Sequence, residues 1–258
     1  KALDELIAWK ENPNKKALLV RGCRQVGKTH LIKEFASKNY RSHLYINLEE
    51  RDDLRASFES GDRTAKAIVD RLMFDSDVTL YPGESAIILD EIQSCLPAYS
   101  SLKSLVTDTG FDIIASGSLL GVRIEDLQQL SPMGYVDIID LRPLDFEEFL
   151  WAMGVNKDNT QYLRDCIQNM RSIDGYICKQ VTELFLRYMV VGGMPAAVKS
   201  YSIDRDYSKV RKVLKNILSL LSDDVGRYSM GTDRMRITAC LESIPNQLSN
   251  ERKGFRYI

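Results

Sequence analysis

The apolar run Ala17 to Val20 leads into Gly22-Cys23-Arg24-Gln25-Val26-Gly27-Lys28-Thr29, and Thr29 to Phe35 leaves it with helical spacing. No other stretch constrains the fold as tightly. G-x-x-x-x-G-K-T works only as a loop between a buried strand and a helix N-terminus. The glycines let successive backbone N–H groups turn toward phosphate oxygens. The helix start adds partial positive charge, Lys28 a full one, and Thr29 a hydroxyl for Mg²⁺. Gly22, Cys23, Arg24, Gln25, Val26, Gly27, Lys28, Thr29 and His30 are therefore the expected phosphate-binding residues.

The chain has 258 residues, 44% of them hydrophobic and 28% charged, room for one large or two modest globular domains. A net charge of −1 supplies no field toward nucleic acid or anionic membrane. No apolar run approaches the length of a membrane span, and the opening Lys-Ala-Leu-Asp-Glu is not a signal peptide. Cys23, Cys95, Cys166, Cys178 and Cys240 are scattered, without a C-x-x-C pair, which points to reduced thiols in a cytoplasm. Cys23 lies close to Lys28 and a helix start, the setting that acidifies a thiol; a filler pointing away from the phosphates is the favoured alternative.

An amphipathic helix over Leu3 to Lys10 precedes the first strand, and a second strand covers Ser42 to Leu48. Residues 49–75, acidic and arginine-rich, predict exposed helices. Ser85 to Asp90, Phe111 to Ala115 and Tyr135 to Leu141 predict three further strands, with a helix over Tyr99 to Val106. Apolar strands alternating with helices predict an α/β fold, a parallel sheet covered on both faces. Beyond Pro143 only helical patterns appear, and a domain boundary is expected within 143–156. Over residues 206–222, Val210, Val213, Leu214, Ile217, Leu218 and Leu221 share one helical face.

The third strand ends in Asp90-Glu91, where an α/β sheet gathers its ligands. Asp90 is placed to hold Mg²⁺ and Glu91 to polarise a water against the γ-phosphate. A signalling GTPase wants glycine three residues after that aspartate, and position 93 is Gln. Its guanine-reading Asn-Lys-x-Asp is also missing: Asn156-Lys157-Asp158-Asn159 ends in the wrong residue. ATP is thus the expected nucleotide. The next strand ends in Ser116-Gly117-Ser118, and either serine is placed to sense the γ-phosphate.

These residues, with Leu141-Arg142-Pro143-Leu144, Phe146-Glu147-Glu148-Phe149, Gly192-Gly193-Met194-Pro195 and Ile244-Pro245-Asn246-Gln247-Leu248-Ser249, give a chain that resembles the prokaryotic AAA-like ATPases carrying a C-terminal domain of unknown function. The resemblance implies a P-loop ATPase core over residues 1–143, a helical lid over 144–230, and the start of a winged-helix segment over 231–258. The Gly-Gly-Met-Pro turn also looks like the Gly-x-Pro turn of signal-transducing multidomain ATPases, which makes Pro195 an adenine contact. Those relatives often carry an arginine after the sensor serine, where this chain has Leu119-Leu120. Arg123 and Arg142 are the nearby substitutes, and the γ-phosphate arginine stays unassigned.

The missing Met and the stop at Ile258 predict a fragment of a longer protein. The expected partners are ATP or ADP, an unidentified protein or a second copy, and no membrane. Residues 199–258 hold twelve Lys/Arg against seven Asp/Glu, which permits DNA binding, although a solvated helix face accounts for the same charges. A slow nucleotide switch and a DNA-associated protein are the alternatives to an ATP-hydrolysing enzyme.

Overall fold

A computed structural model describes residues 1–59, 61–118, 136–228 and 232–249. The chain divides into two compact units, Lys1–Arg142 and Pro143–Ile258. In the first unit, strands β1 (Ala17–Arg21), β2 (Ser42–Asn47), β3 (Ser85–Asp90), β4 (Asp112–Gly117) and β5 (Val136–Asp140) form one parallel sheet in the order β2-β3-β4-β1-β5. Successive side chains in a strand point to opposite faces, and here both faces are covered. Ala17, Leu19, Ile87, Leu89, Ile113 and Ala115 join one core, with α3 (Asp52–Glu59), α4 (Ala65–Phe74) and α5 (Leu96–Thr109). Leu18, Val20, Ile88, Ile114 and Ile139 join the other, with α1 (Ala2–Glu11) and α2 (Lys28–Asn39). Two buried faces explain why these strands read as continuous apolar runs.

Residues 49–75 are largely helical and mostly exposed, as expected, but each helix also buries one face. Leu54 and Phe58 of α3, and Ile68, Val69 and Leu72 of α4, are buried. In α3 the buried residues sit among Asp52, Asp53, Arg55 and Glu59, whereas α4 is mostly apolar. The helix expected over Tyr99 to Val106 is longer at both ends. Pro97 is tolerated in its first turn, and Gly110, at φ 72°, ends it in the left-handed region.

The described residues of the second unit form α6 (Phe146–Ala152), α7 (Lys157–Gln168), α8 (Gly175–Val191), α9 (Pro195–Asp204), α10 (Tyr207–Tyr228) and α11 (Thr232–Ser249). Asp145 and Glu148 close a capping box at the start of α6. Phe149, Val191, Ala197, Val198, Tyr201 and Val210 form the core. On α10 the expected apolar face is narrower than its sequence spacing: Val210 and Ile217 are buried, whereas Leu218 is 63% exposed. Arg123, Leu119-Leu120 and residues 250–258 of the expected winged-helix segment lie outside the described residues.

Candidate functional site

Strand β4 lies between β1 and β3. The C-terminal ends of three adjacent parallel strands therefore deliver the loop after Arg21, the Ser116–Ser118 segment and Asp90-Glu91 to one edge of the sheet. A Cβ on Gly22 would lie 2.4 Å from the carbonyl oxygen of Leu141, so only glycine lets the backbone leaving β5 pass so close. Further along the loop, Gln25 (φ 61°) and Gly27 (φ 98°) are left-handed. Gly27 begins α2 with no side-chain cap, and the first turn holds no acidic residue. A helix start without its own anion is a ready anion site.

Lys28 is buried. Its Nζ donates to the carbonyl oxygens of Gly22 at 2.8 Å and Cys23 at 3.1 Å. Burial pulls this ammonium below the ordinary lysine value, against the opposing influence of Glu91 and Asp90. Thr29 Oγ1 donates to Asp90 Oδ2 at 2.7 Å, joining the first turn of α2 to the end of β3. His30 contributes no side chain here: its ring is exposed and faces Glu34 at 3.7 Å. Val26 is buried, Cys23 is a half-buried free thiol, and Arg24 lies 3.8 Å from Glu49.

Asp90 is 2% exposed, and a carboxylate so placed needs hydrogen bonds to its charge. Besides Thr29 it accepts from Tyr45 Oη at 2.8 Å, from the Glu91 amide at 3.1 Å and from Ser116 Oγ. Burial, and after it Asp90, pushes the Tyr45 phenol well above its ordinary value. Glu91 is left-handed (φ 53°) and begins a short 3₁₀ turn, Ile92–Ser94. Its Oε2 accepts from Gln93 Nε2, which also lies 3.5 Å from Ser118 Oγ. The two serines thus face different partners: Ser116 is on Asp90, and Ser118 is near Gln93.

Tyr45 and Gln93 were not among the expected site residues. Tyr45 is brought to Asp90 by the pairing of β2 with β3, which no local signal encodes. Gln93 stands two residues after Glu91, and that closeness was its available signal. Arg142 is exposed, and the guanidiniums of Arg21, then Arg142, hold the Asp140 carboxyl below the usual range. In the helical unit, Asn156 caps α7 by accepting from the Asn159 amide at 2.8 Å, which gives that stretch a structural use. Gly192 (φ 72°) ends α8, and Pro195 opens α9. Between them, a Cβ on Gly193 would fall 2.1 Å from the carbonyl oxygen of Leu144.

The residues present suit an Mg²⁺-bound nucleoside triphosphate. Thr29 and Asp90 bring together hard oxygen donors of the kind Mg²⁺ takes. Beside them stand an uncapped helix start and a lysine that donates to two backbone carbonyls.

A family profile described as an AAA domain matches residues 14–150, just over half of the 258 residues. A second, described as a domain of unknown function, matches residues 182–255. An uncharacterized protein of Methanocaldococcus jannaschii is 24% identical over 230 residues, covering 86% of this chain and 47% of that protein. The chain thus spans about half the length of the curated relative it matches. Among solved structures, the Aeropyrum pernix ORC1 protein in complex with DNA superposes with a TM-score of 0.42 at 13% identity, covering 97% of this chain and 71% of that one. That superposition is too loose to carry anything over from that protein. The matched residues 14–150 enclose the phosphate loop, Asp90-Glu91 and Ser116–Ser118, and the chain belongs to the AAA domain family.

Proposed function

We propose that this chain binds ATP with Mg²⁺ and hydrolyses it, and that the helical unit reports which nucleotide is bound. The observation that carries this reading is the 2.7 Å hydrogen bond from Thr29 to Asp90, with Glu91 next in the chain. Lys28 would exchange the carbonyls of Gly22 and Cys23 for phosphate oxygens, alongside the amides of residues 22–30. Thr29 and Asp90 would hold Mg²⁺, which when bound offsets charge on the β- and γ-phosphates. Glu91 would take a proton from water as its oxygen bonds to the γ-phosphorus. The bond from that phosphorus to the bridging oxygen breaks, and ADP leaves with the electron pair. Ser116 would steady Asp90, and Ser118 would face the γ-phosphate.

A slower nucleotide switch is the second reading, in which the same site holds ATP or ADP without rapid turnover. Steady-state ATP turnover, measured with Mg²⁺ and again with excess EDTA, tests the first reading. The expected result is turnover that EDTA abolishes. Negligible turnover with stoichiometric copurified ADP favours the switch.

A further inference from the structure

We propose that Gln93 is a positioning residue that couples the γ-phosphate contact of Ser118 to the carboxylate of Glu91. The proposal rests on the ATPase reading and extends it to a residue without an assigned role.

The contacts leave little freedom in how the carboxamide is turned. An ionised carboxylate only accepts hydrogen bonds, so the Gln93 atom facing Glu91 Oε2 is the Nε2 donor. The same nitrogen stands 3.5 Å from Ser118 Oγ. Gln93 Oε1 is then buried with no hydrogen-bond partner among the described residues, an arrangement that folded proteins rarely keep. A Cβ on Gly117 would sit 2.4 Å from that same Oε1. Glycine between the two serines is therefore what gives the carboxamide its space. The left-handed Glu91 and the 3₁₀ turn after it bring side chains 91 and 93 together.

The donors line up in one direction. A serine hydroxyl has one proton to give and lone pairs to receive with. Ser118, accepting from Gln93, keeps its proton for a γ-phosphate oxygen. Gln93 spends its other N–H on Glu91. Ser116 stands outside this chain because its proton goes to Asp90. When ADP is bound there is no γ-phosphate acceptor, Ser118 is free to turn, and the hold on Glu91 loosens.

The test is a double-substitution cycle of Gln93→Ala and Ser118→Ala, with Ser116→Ala as the control partner. Its first readout is the preference for a non-hydrolysable ATP analogue over ADP, from dissociation constants with Mg²⁺; its second is kcat for ATP. Each single change is expected to lower both by about tenfold, with the double no worse than the worse single, the non-additivity of residues in contact. Gln93→Ala and Ser116→Ala should multiply.

A nucleotide-free readout guards against variants that fail to fold. The side-chain amide protons of Gln93 in the wild-type protein, followed by NMR, should shift on Ser118→Ala and on Glu91→Gln. Wild-type turnover with multiplicative Gln93 and Ser118 effects, or amide signals that ignore Ser118→Ala, overturn the coupling and leave the ATPase reading standing. Wild-type protein with neither turnover nor a preference for the ATP analogue overturns both.

Discussion

Asp90 concentrates the physics of the site in one side chain. A carboxylate at 2% exposure is held by hydrogen bonds from Thr29, Tyr45, Ser116 and the Glu91 amide, and each is charge-assisted and so stronger than a neutral pair. Tyr45 is the member whose loss can be read most cleanly, because Tyr45→Phe keeps the ring and removes only the hydroxyl. Losing this bond should lower stability by about 1–2 kcal/mol, measured by urea unfolding. It should also raise the Mg²⁺ concentration needed for half-maximal ATP turnover while leaving Mg²⁺-free nucleotide affinity unchanged. A Tyr45→Phe protein with wild-type stability and Mg²⁺ dependence would show that the phenol is a bystander.

At the level of elements, two glycines mark close approaches of one backbone to another. Gly22 and Gly193 each face a backbone carbonyl where a Cβ would stand, at 2.4 Å from Leu141 and 2.1 Å from Leu144. In the helical unit the Leu144 amide also donates to the Gly193 carbonyl at 2.7 Å. Gly193→Ala should therefore push two backbones apart and destabilise the helical unit by about 1–3 kcal/mol, seen as earlier loss of helical circular dichroism on heating. An unchanged melting curve would mean that the turn yields without cost. The strands themselves were legible: Ala17 to Val20, Ile87 to Leu89 and Ile113 to Ala115 are apolar without interruption because helices cover both faces of the sheet. The burial of α3 was not, since Leu54 and Phe58 share an eight-residue helix with Asp52, Asp53, Arg55 and Glu59; α4 is mostly apolar, and its buried Ile68, Val69 and Leu72 carry a local signal. Leu218 misled in the opposite sense: it is exposed while the preceding Ile217 is buried, because spacing defines a face but not its width.

Across the whole molecule, the site is assembled by strand order. The phosphate-loop motif and Asp90-Glu91 are readable in the chain, about sixty residues apart as the motif allows. That β4 lies between their strands, bringing Ser118 beside Gln93, is a tertiary fact with no local signature. Tyr45 went unanticipated for the same reason: its role follows from the register of β2 on β3. Arg211, Lys212 and Lys215 are exposed on α10, as a solvated helix face requires, and the basic excess there needs no nucleic acid to account for it. Among the described residues no helix is long and apolar enough to cross a membrane. The central claim is that the carboxylate following Asp90 activates water for attack on ATP, and Glu91→Gln addresses it most directly, since the change keeps shape and removes the base. With Mg²⁺ present, the account predicts ATP affinity within about threefold of wild type and kcat lower by about a hundredfold or more. Equal turnover by Glu91→Gln and wild-type protein would contradict it.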